Sequence, residues 1–394
     1  MRRAGKELLS LALMDARNHT LRWIAAYERA LEVTAMKVPL SAELNPPLWE
    51  LGHLGWFQEY WIARNVQRRR GPGCDPTVPK LASILDGADA LYDSTHVAHD
   101  SRWSLPLPDL QATRHYLVET LEQTLDLLDG TPDEDDALYF YRLALFHEDM
   151  HVEALAYMSQ TLGFDAGLLP PLAALNAREP LLFPATRWML GSDAGGFVFD
   201  NEKWAHEVAV PEFEIDAQPV TWAQYAEFVE DGGYDERRHW SEAGWAWVQK
   251  DGRRSPRHVD QLRQGVLQQR FGRLMRVPLS QPVMHTAWYE ADAWCRWAGR
   301  RLPTEVEWEA AAHQGATRGF RWGDVWEWTA SSFLPYEGFA ADPYRDYSKP
   351  WFGTHKVLRG ASFATRVRMR NAKYRNFYRP ERDDIFSGFR SCAA

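Results

Sequence analysis

A chain of 394 residues with 45% hydrophobic and 25% charged side chains is globular and long enough for two domains. Its formal net charge of −9 argues against a general nucleic-acid or anionic-membrane partner, and no apolar run reaches bilayer-spanning length. Cys74, Cys295 and Cys392 show no Cys-x-x-Cys spacing and fit a reducing compartment, so a soluble, cytoplasmic protein is expected.

From Ala4 to Ala35 the apolar residues follow helical spacing. Asn45-Pro46-Pro47 breaks that pattern, and a second helix begins near Leu48 with His53 at its middle, between Gly52 and Gly55. Glycine inside a helix costs about 1 kcal/mol against alanine and is tolerated where something must approach closely. Arg68 to Pro79 reads as a surface loop, and Tyr92 to Trp103 as a loop or short helix. A third helix fits Asp109 to Leu128, and acidic residues 133–136 lead into a fourth. Four long helices make a bundle, whose core is a usual place for metal ligands.

That fourth helix carries Phe146-His147-Glu148-Asp149-Met150-His151. Residues four apart share a helix face, so His147 and His151 can aim two imidazoles at one point, which suits a first-row metal. The plainer alternative is a pair of histidines on a solvated face. The same letters spell His-Glu-x-x-His of zinc proteases, with Glu148 as general base, but no third ligand follows before Gly163 and Pro170. A di-iron carboxylate site needs two Glu-x-x-His motifs, and only Glu148 to His151 is taken as one.

The helical pattern dissolves between Gly163 and Pro184, which places a domain boundary near 170–180: residues 1–170 helical, residues 180–394 an irregular, loop-rich α+β domain. Short strand-like pieces (Trp188–Ser192, His206–Val210, Phe213–Asp216) and two helices (Thr221–Glu230, Trp288–Ala298) stand out there. Most of the 19 tryptophans lie after residue 180, as anchors of an aromatic-rich fold.

This second part carries, in order, Met189-Leu190-Gly191-Ser192, Pro219-Val220-Thr221, Gln281-Pro282-Val283 and Gly299-Arg300-Arg301-Leu302-Pro303-Thr304-Glu305. Gly323-Asp324-Val325-Trp326-Glu327-Trp328-Thr329, Val357-Leu358-Arg359-Gly360 and Ser387-Gly388-Phe389-Arg390 follow. The series resembles the C-type-lectin-like domain of the formylglycine-generating enzyme over nearly all of residues 180–394. That enzyme works through cysteines that the matching segment, Ala364 to Tyr378, lacks, so its activity is not expected here.

His53 within Trp49-Glu50-Leu51-Gly52-His53-Leu54-Gly55, together with His147 and His151, resembles the iron-binding domain of the ergothioneine-biosynthesis sulfoxide synthases. These fuse a DinB-like four-helix bundle to the same lectin-like domain, so the resemblance covers the whole chain. It implies that His53, His147 and His151 bind Fe(II) and leave positions open for substrate and O2. It implies a catalytic, proton-donating Tyr344, with Tyr347 three residues on as a substrate contact. Asn376 would hydrogen-bond the carboxylate of hercynine, a histidine betaine, and Phe377 or Tyr378 would face its trimethylammonium group.

Departures bear on the chalcogen donor. Members using γ-glutamylcysteine carry arginines in the loop between the first two ligands, where this chain has Tyr92 to Asp100 with His96 and His99. Met150 stands where a glutamine is expected, and Tyr378 where some members have an aspartate for the donor's amine. The loop offers only Arg102 as a guanidinium. These departures resemble the selenoneine synthase branch, which joins a seleno-sugar to C2 of hercynine. The expectation is an Fe(II)- and O2-dependent enzyme acting on small molecules; the alternatives are an ergothioneine sulfoxide synthase using cysteine or γ-glutamylcysteine, a zinc hydrolase, and a non-catalytic lectin-like binding protein.

Overall fold

The long helical periodicities become helices whose ends follow capping chemistry. In the computed structural model, which describes residues 1–394, these are α1 (Lys6–Ala30), α2 (Pro47–Trp61), the short α3 (Ala88–Tyr92), α4 (Leu110–Asp129) and α5 (Asp135–Leu162). Pro47 opens α2 at a position where its missing N–H is no loss. The Asp109 side chain accepts from Ala112 N to cap α4, and Gly163, at φ 77°, ends α5 in the left-handed region. α1 stops at Ala30, short of the expected Ala35, because the chain tightens into a 3₁₀ turn at Glu32–Thr34.

The chain clusters into two units. The first is Met1–Ser159 with two later segments, Ala194–Val198 and Ala340–Tyr347, which a single cut near residues 170–180 does not describe. Their ties are specific: Tyr139 Oη donates to Asp342 Oδ2 at 2.8 Å, and Gly196 N donates to Asp135 Oδ2 at 2.7 Å.

A buried ion pair locks α1 to α5. Arg17 Nε donates to Glu148 Oε1 at 2.9 Å and Nη2 to Oε2 at 3.2 Å, while Thr20 Oγ1 donates to the same Oε1 at 2.7 Å. Arg17 also reaches the Leu117 carbonyl on α4 and Gln58 Oε1 on α2, so one guanidinium touches all four long helices. Removing one partner strands the other's charge in the core. Arg17→Met is therefore expected to destabilise the fold by about 3–5 kcal/mol in a urea melt, without changing the three histidines.

The second unit is Gln160–Asp193, Phe199–Phe339 and Ser348–Ala394. Its strands are β1 (Leu181–Phe183), β2 (Thr186–Leu190), β3 (His206–Val210), β4 (Phe213–Ile215), β5 (Val259–Gln261), β6 (Val266–Arg270), β7 (Arg273–Val277), β8 (Arg300–Arg301), β9 (Trp326–Ser332), β10 (Lys356–Gly360), β11 (Asn376–Tyr378), β12 (Ser387–Phe389) and β13 (Cys392–Ala393). Helices α6 (Trp222–Glu230), α7 (Glu242–Asp251), α8 (Trp288–Trp297) and α9 (Glu305–Gln314) lie among them. Two four-stranded sheets, β1-β4-β13-β8 and β11-β10-β9-β12, stand beside a separate β2-β3 pair and the β5-β6-β7 meander.

Its motifs are scaffold. Glu327 on β9 accepts from Trp308 Nε1 on α9 at 2.7 Å and from Arg390 Nε and Nη2 after β12. Glu309 pairs with Arg359, and Trp328 Nε1 donates to Thr286 O at 2.8 Å. These two buried carboxylates, Glu327 and Glu309, each have an arginine partner, as burial demands. Cys74, Cys295 and Cys392 are all free and buried.

Candidate metal centre

α2 and α5 bring His53, His147 and His151 together, with one ring nitrogen from each inside a sphere of contacts no wider than 4.8 Å. His147 is only 3% exposed and His151 is half-buried, so the pair does not lie on a solvated face; His53 is buried as well. His53 Nδ1 donates to the Tyr92 carbonyl at 2.8 Å, and His151 Nδ1 lies 2.6 Å from Glu50 Oε2. Those bonds fix the tautomers and leave the two Nε2 lone pairs for a ligand. His147 Nε2 is buried with no hydrogen-bond partner in the protein, and a metal ion bound between the three rings would satisfy it. Burial, then the neighbouring His151, pushes His53 down to about 3, and burial takes His147 well below its usual range. Both are held as neutral imidazoles, the form that binds a metal.

Aromatic walls set the rings. Phe57 stacks on His147 with ring centroids 3.5 Å apart, and Trp49 stacks on His53 at 4.8 Å. Gly52 explains itself: a Cβ there would sit 2.1 Å from the Tyr92 ring, whose residue supplies the carbonyl that orients His53. The close approach expected of the helical glycines is made by Tyr92 at Gly52 and by Tyr116 at Gly55.

Sequence reasoning missed Glu50. It is 2% exposed, accepts from His151 and from Asn45 Nδ2 at 2.5 Å, and belongs to Glu50-Leu51-Gly52-His53, a second Glu-x-x-His motif. Burial alone would raise its pKa; the attraction and hydrogen bond of His151 win and hold it at about 2. A di-iron reading therefore fails for a different reason than a missing motif. Glu50 is spent on His151, and Glu148 is spent on Arg17 and Thr20, so neither carboxylate stands among the clustered ligands. The same pairing removes Glu148 as the general base of a zinc hydrolase.

Tyr344 belongs to this unit. Its ring meets Phe57 edge-on at 5.0 Å and His147 at 6.3 Å, and Tyr347 lies 6.0 Å away. Tyr347 Oη approaches Met150 Sδ at 4.0 Å. Phe57, Tyr60, Trp61 and Tyr344 form the aromatic side of a cavity of about 500 Å³; Thr77, Ser94, Thr95, His96, Arg345 and Asp346 lie on its polar side. His96 Nδ1 is paired with Asp93 Oδ2 at 2.8 Å.

Two loop residues lie elsewhere. His99 does not line the cavity: its Nε2 bonds the Leu44 carbonyl at 2.9 Å and its ring meets Trp103. Arg102 is also absent from the wall. Its guanidinium lies 3.8 Å over the Trp49 ring and donates to Asn45 Oδ1 at 2.8 Å, whereas Arg345, overlooked in the sequence, does line the cavity.

Asn376, Phe377 and Tyr378 form β11 of the second unit, paired with β10 from Leu358 to Lys356. Phe377 stacks on Phe333 at 4.1 Å, and the Arg382 guanidinium lies 5.1 Å over the Tyr378 ring.

The comparisons with known proteins follow the same division. Residues 12–158 match the DinB superfamily, and residues 167–324 and 320–394 match the sulfatase-modifying factor enzyme 1-like domain. The fold is thus a DinB-like helical domain followed by a C-type-lectin-like domain of that type. A formylglycine-generating enzyme of Streptomyces coelicolor is 27% identical over 49% of this chain and 81% of its own length. The hercynine oxygenase of Mycolicibacterium smegmatis is 34% identical, covering 98% of both chains. That of Mycobacterium tuberculosis is 33% identical, again over 98% of each. No helix is long and apolar enough to cross a membrane. With both domains and nearly the full length matched at this identity, the chain belongs to the hercynine oxygenase family, the ergothioneine-type sulfoxide synthases that its motifs resemble.

Proposed function

We propose that this protein is a non-haem Fe(II)- and O2-dependent enzyme that joins a sulfur or selenium donor to the imidazole C2 of hercynine. The observation that carries the reading is the convergence of His53, His147 and His151, with the buried His147 Nε2 lacking any protein partner. Relatives named hercynine oxygenase over the full length support the substrate. The stoichiometry closes: one C–H and one chalcogen–H bond are broken, a carbon–chalcogen and a chalcogen–oxygen bond form, and O2 ends in the sulfoxide or selenoxide and in water.

Bound ferrous iron supplies the open coordination positions and the redox chemistry with O2. The chain's own groups do the rest. His53, His147 and His151 hold the metal. Phe57 and Trp49 pack against the ligand rings and keep water from them. The Tyr344 hydroxyl carries a proton to the reacting centre as the bond forms, and Tyr347 and Met150 border the substrate. Asn376, Phe377 and Tyr378 are proposed to receive the carboxylate and trimethylammonium ends of hercynine.

The donor we propose is a seleno-sugar. Hydroxyls of Thr77, Ser94 and Thr95 offer neutral partners to sugar hydroxyls, His96 stands beside them paired with Asp93, and the cavity has no guanidinium cluster for a dipeptide with two carboxylates. Arg345 favours a second reading, in which it pairs with the single carboxylate of cysteine. A competition assay at fixed hercynine separates them. A 1-seleno-sugar or its thio-analogue is expected to exceed γ-glutamylcysteine by at least ~100-fold in kcat/KM, about 2.7 kcal/mol. Preference for cysteine or γ-glutamylcysteine would return the protein to sulfoxide synthesis for ergothioneine.

A further inference from the structure

Behind the three histidines runs a connected line of side chains. His151 Nδ1 lies 2.6 Å from Glu50 Oε2, Glu50 Oε1 accepts from Asn45 Nδ2 at 2.5 Å, and Asn45 Oδ1 accepts from Arg102 Nη1 at 2.8 Å. Arg102 returns to the centre by a second route. Its guanidinium lies 3.8 Å over the Trp49 ring, and Trp49 stacks on His53 at 4.8 Å with the planes 9° apart. Two of the three clustered histidines are thus backed by residues that meet at one arginine, on the turn His99–Ser104. His147, the third, has Phe57 stacked on its face and no hydrogen-bond partner at Nε2.

We propose that Glu50, anchored by Asn45 and Arg102, is a positioning residue that aims His151 at the metal and, through its negative charge, strengthens that imidazole as a ligand.

The physical case rests on charge and burial together. A carboxylate 2% exposed is costly unless paired, and the partners here are one imidazole N–H, one amide and, beyond it, the guanidinium. Accepting the Nδ1 proton fixes the tautomer with the lone pair on Nε2. It also pushes electron density toward that atom, and such outer partners typically carry a 10–100-fold effect on metal affinity. The three imidazoles contribute no negative charge, so the Glu50 carboxylate bonded to His151 would supply one beside the site. The role also explains why Arg102 sits on the loop expected to hold a donor and yet is absent from the cavity wall. It balances Glu50.

This inference rests on the metal-site reading above, and the experiment separates the two. Apoprotein of the full chain is titrated anaerobically with Fe(II) against a competing chelator, and in parallel with Co(II) while the visible ligand-field bands are recorded. Glu50→Gln keeps an oxygen able to accept from His151 but removes the charge; Glu50→Ala removes both; Arg102→Met removes the far anchor and keeps an apolar side chain over Trp49. The expected result is a fall in affinity of about 10-fold for Glu50→Gln, and of ~100-fold for Glu50→Ala, with shifted Co(II) bands in both. A smaller loss in the same direction is expected for Arg102→Met. Urea melts of the metal-free proteins show whether each variant is folded, and Glu50→Asp is expected to recover part of the affinity. Wild-type affinity and unchanged Co(II) bands in Glu50→Gln would overturn the charge role. Failure of the wild-type protein to bind either metal would overturn the site itself, and this inference with it.

Discussion

His147→Ala is expected to abolish iron binding and to lower turnover by at least ~1,000-fold, about 4 kcal/mol of transition-state stabilisation. His147 is buried on α5 beneath the Phe57 ring, and its Nε2 has no partner besides the neighbouring imidazoles. Two remaining histidines make a weak, under-coordinated site, and neither Glu50 nor Glu148 can substitute, because both are committed elsewhere. The deletion also leaves a cavity under Phe57, so a stability loss of about 2–4 kcal/mol accompanies it. His147→Asn, which fills more of that space, is expected to fold better and still bind no iron. Full iron occupancy and rate in either variant would remove His147 from the ligand set.

Tyr344→Phe carries the second large effect. Only the hydroxyl is lost, so the edge-on contacts to Phe57 and His147 remain and hercynine affinity is expected to stay within about two-fold. The chemical step is expected to slow by ~100- to 10,000-fold, the range for losing a positioned proton donor. Single-turnover mixing of the reduced, substrate-loaded enzyme with O2 isolates that step, and the product ratio is expected to shift toward simple oxidation of the donor. An unchanged rate and ratio would move the role to Tyr347, 6.0 Å away.

Local periodicity made the helices legible: α4 and α6 begin within a residue of the expected positions because Asp109 and Thr221 stand at their caps. α7 and α9 were lost among tryptophans and loop signals, although Ser241 caps the one and the Thr304/Glu307 capping box opens the other. Their burial is decided by tertiary pairing, as in Glu309 with Arg359, which no local pattern reports. The meander of β5, β6 and β7 was not visible for the same reason.

At the centre, the i, i+4 spacing of His147 and His151 was readable from the chain alone, whereas His53 entered through a motif resemblance. Glu50 was readable in principle, since it stands three residues before His53 on the same helix. Glu148 stands at the same spacing from His151 and carries the same local signal, yet it pairs with Arg17. The segment Ala340–Tyr347 shows a further limit: its place beside the histidines is set by pairings such as Tyr139 with Asp342, more than 200 residues apart. Loop residues carry no periodicity, so nothing local shows that His99 bonds the Leu44 carbonyl or that Arg102 lies over the Trp49 ring.

In the proposed reading, three histidines on α2 and α5 would hold an iron ion that supports oxidative bond formation on hercynine. Oxygen uptake tests it most directly: the protein is reconstituted anaerobically with Fe(II), mixed with O2, hercynine and a panel of seleno-sugar and thiol donors, and the products are weighed by mass spectrometry. The account predicts one O2 consumed per hercynine converted, with a product joining donor and hercynine through sulfur or selenium, and no uptake by His147→Ala. Iron-independent activity, or stoichiometric hercynine binding with neither iron retention nor oxygen uptake, would contradict it and leave a binding protein in its place.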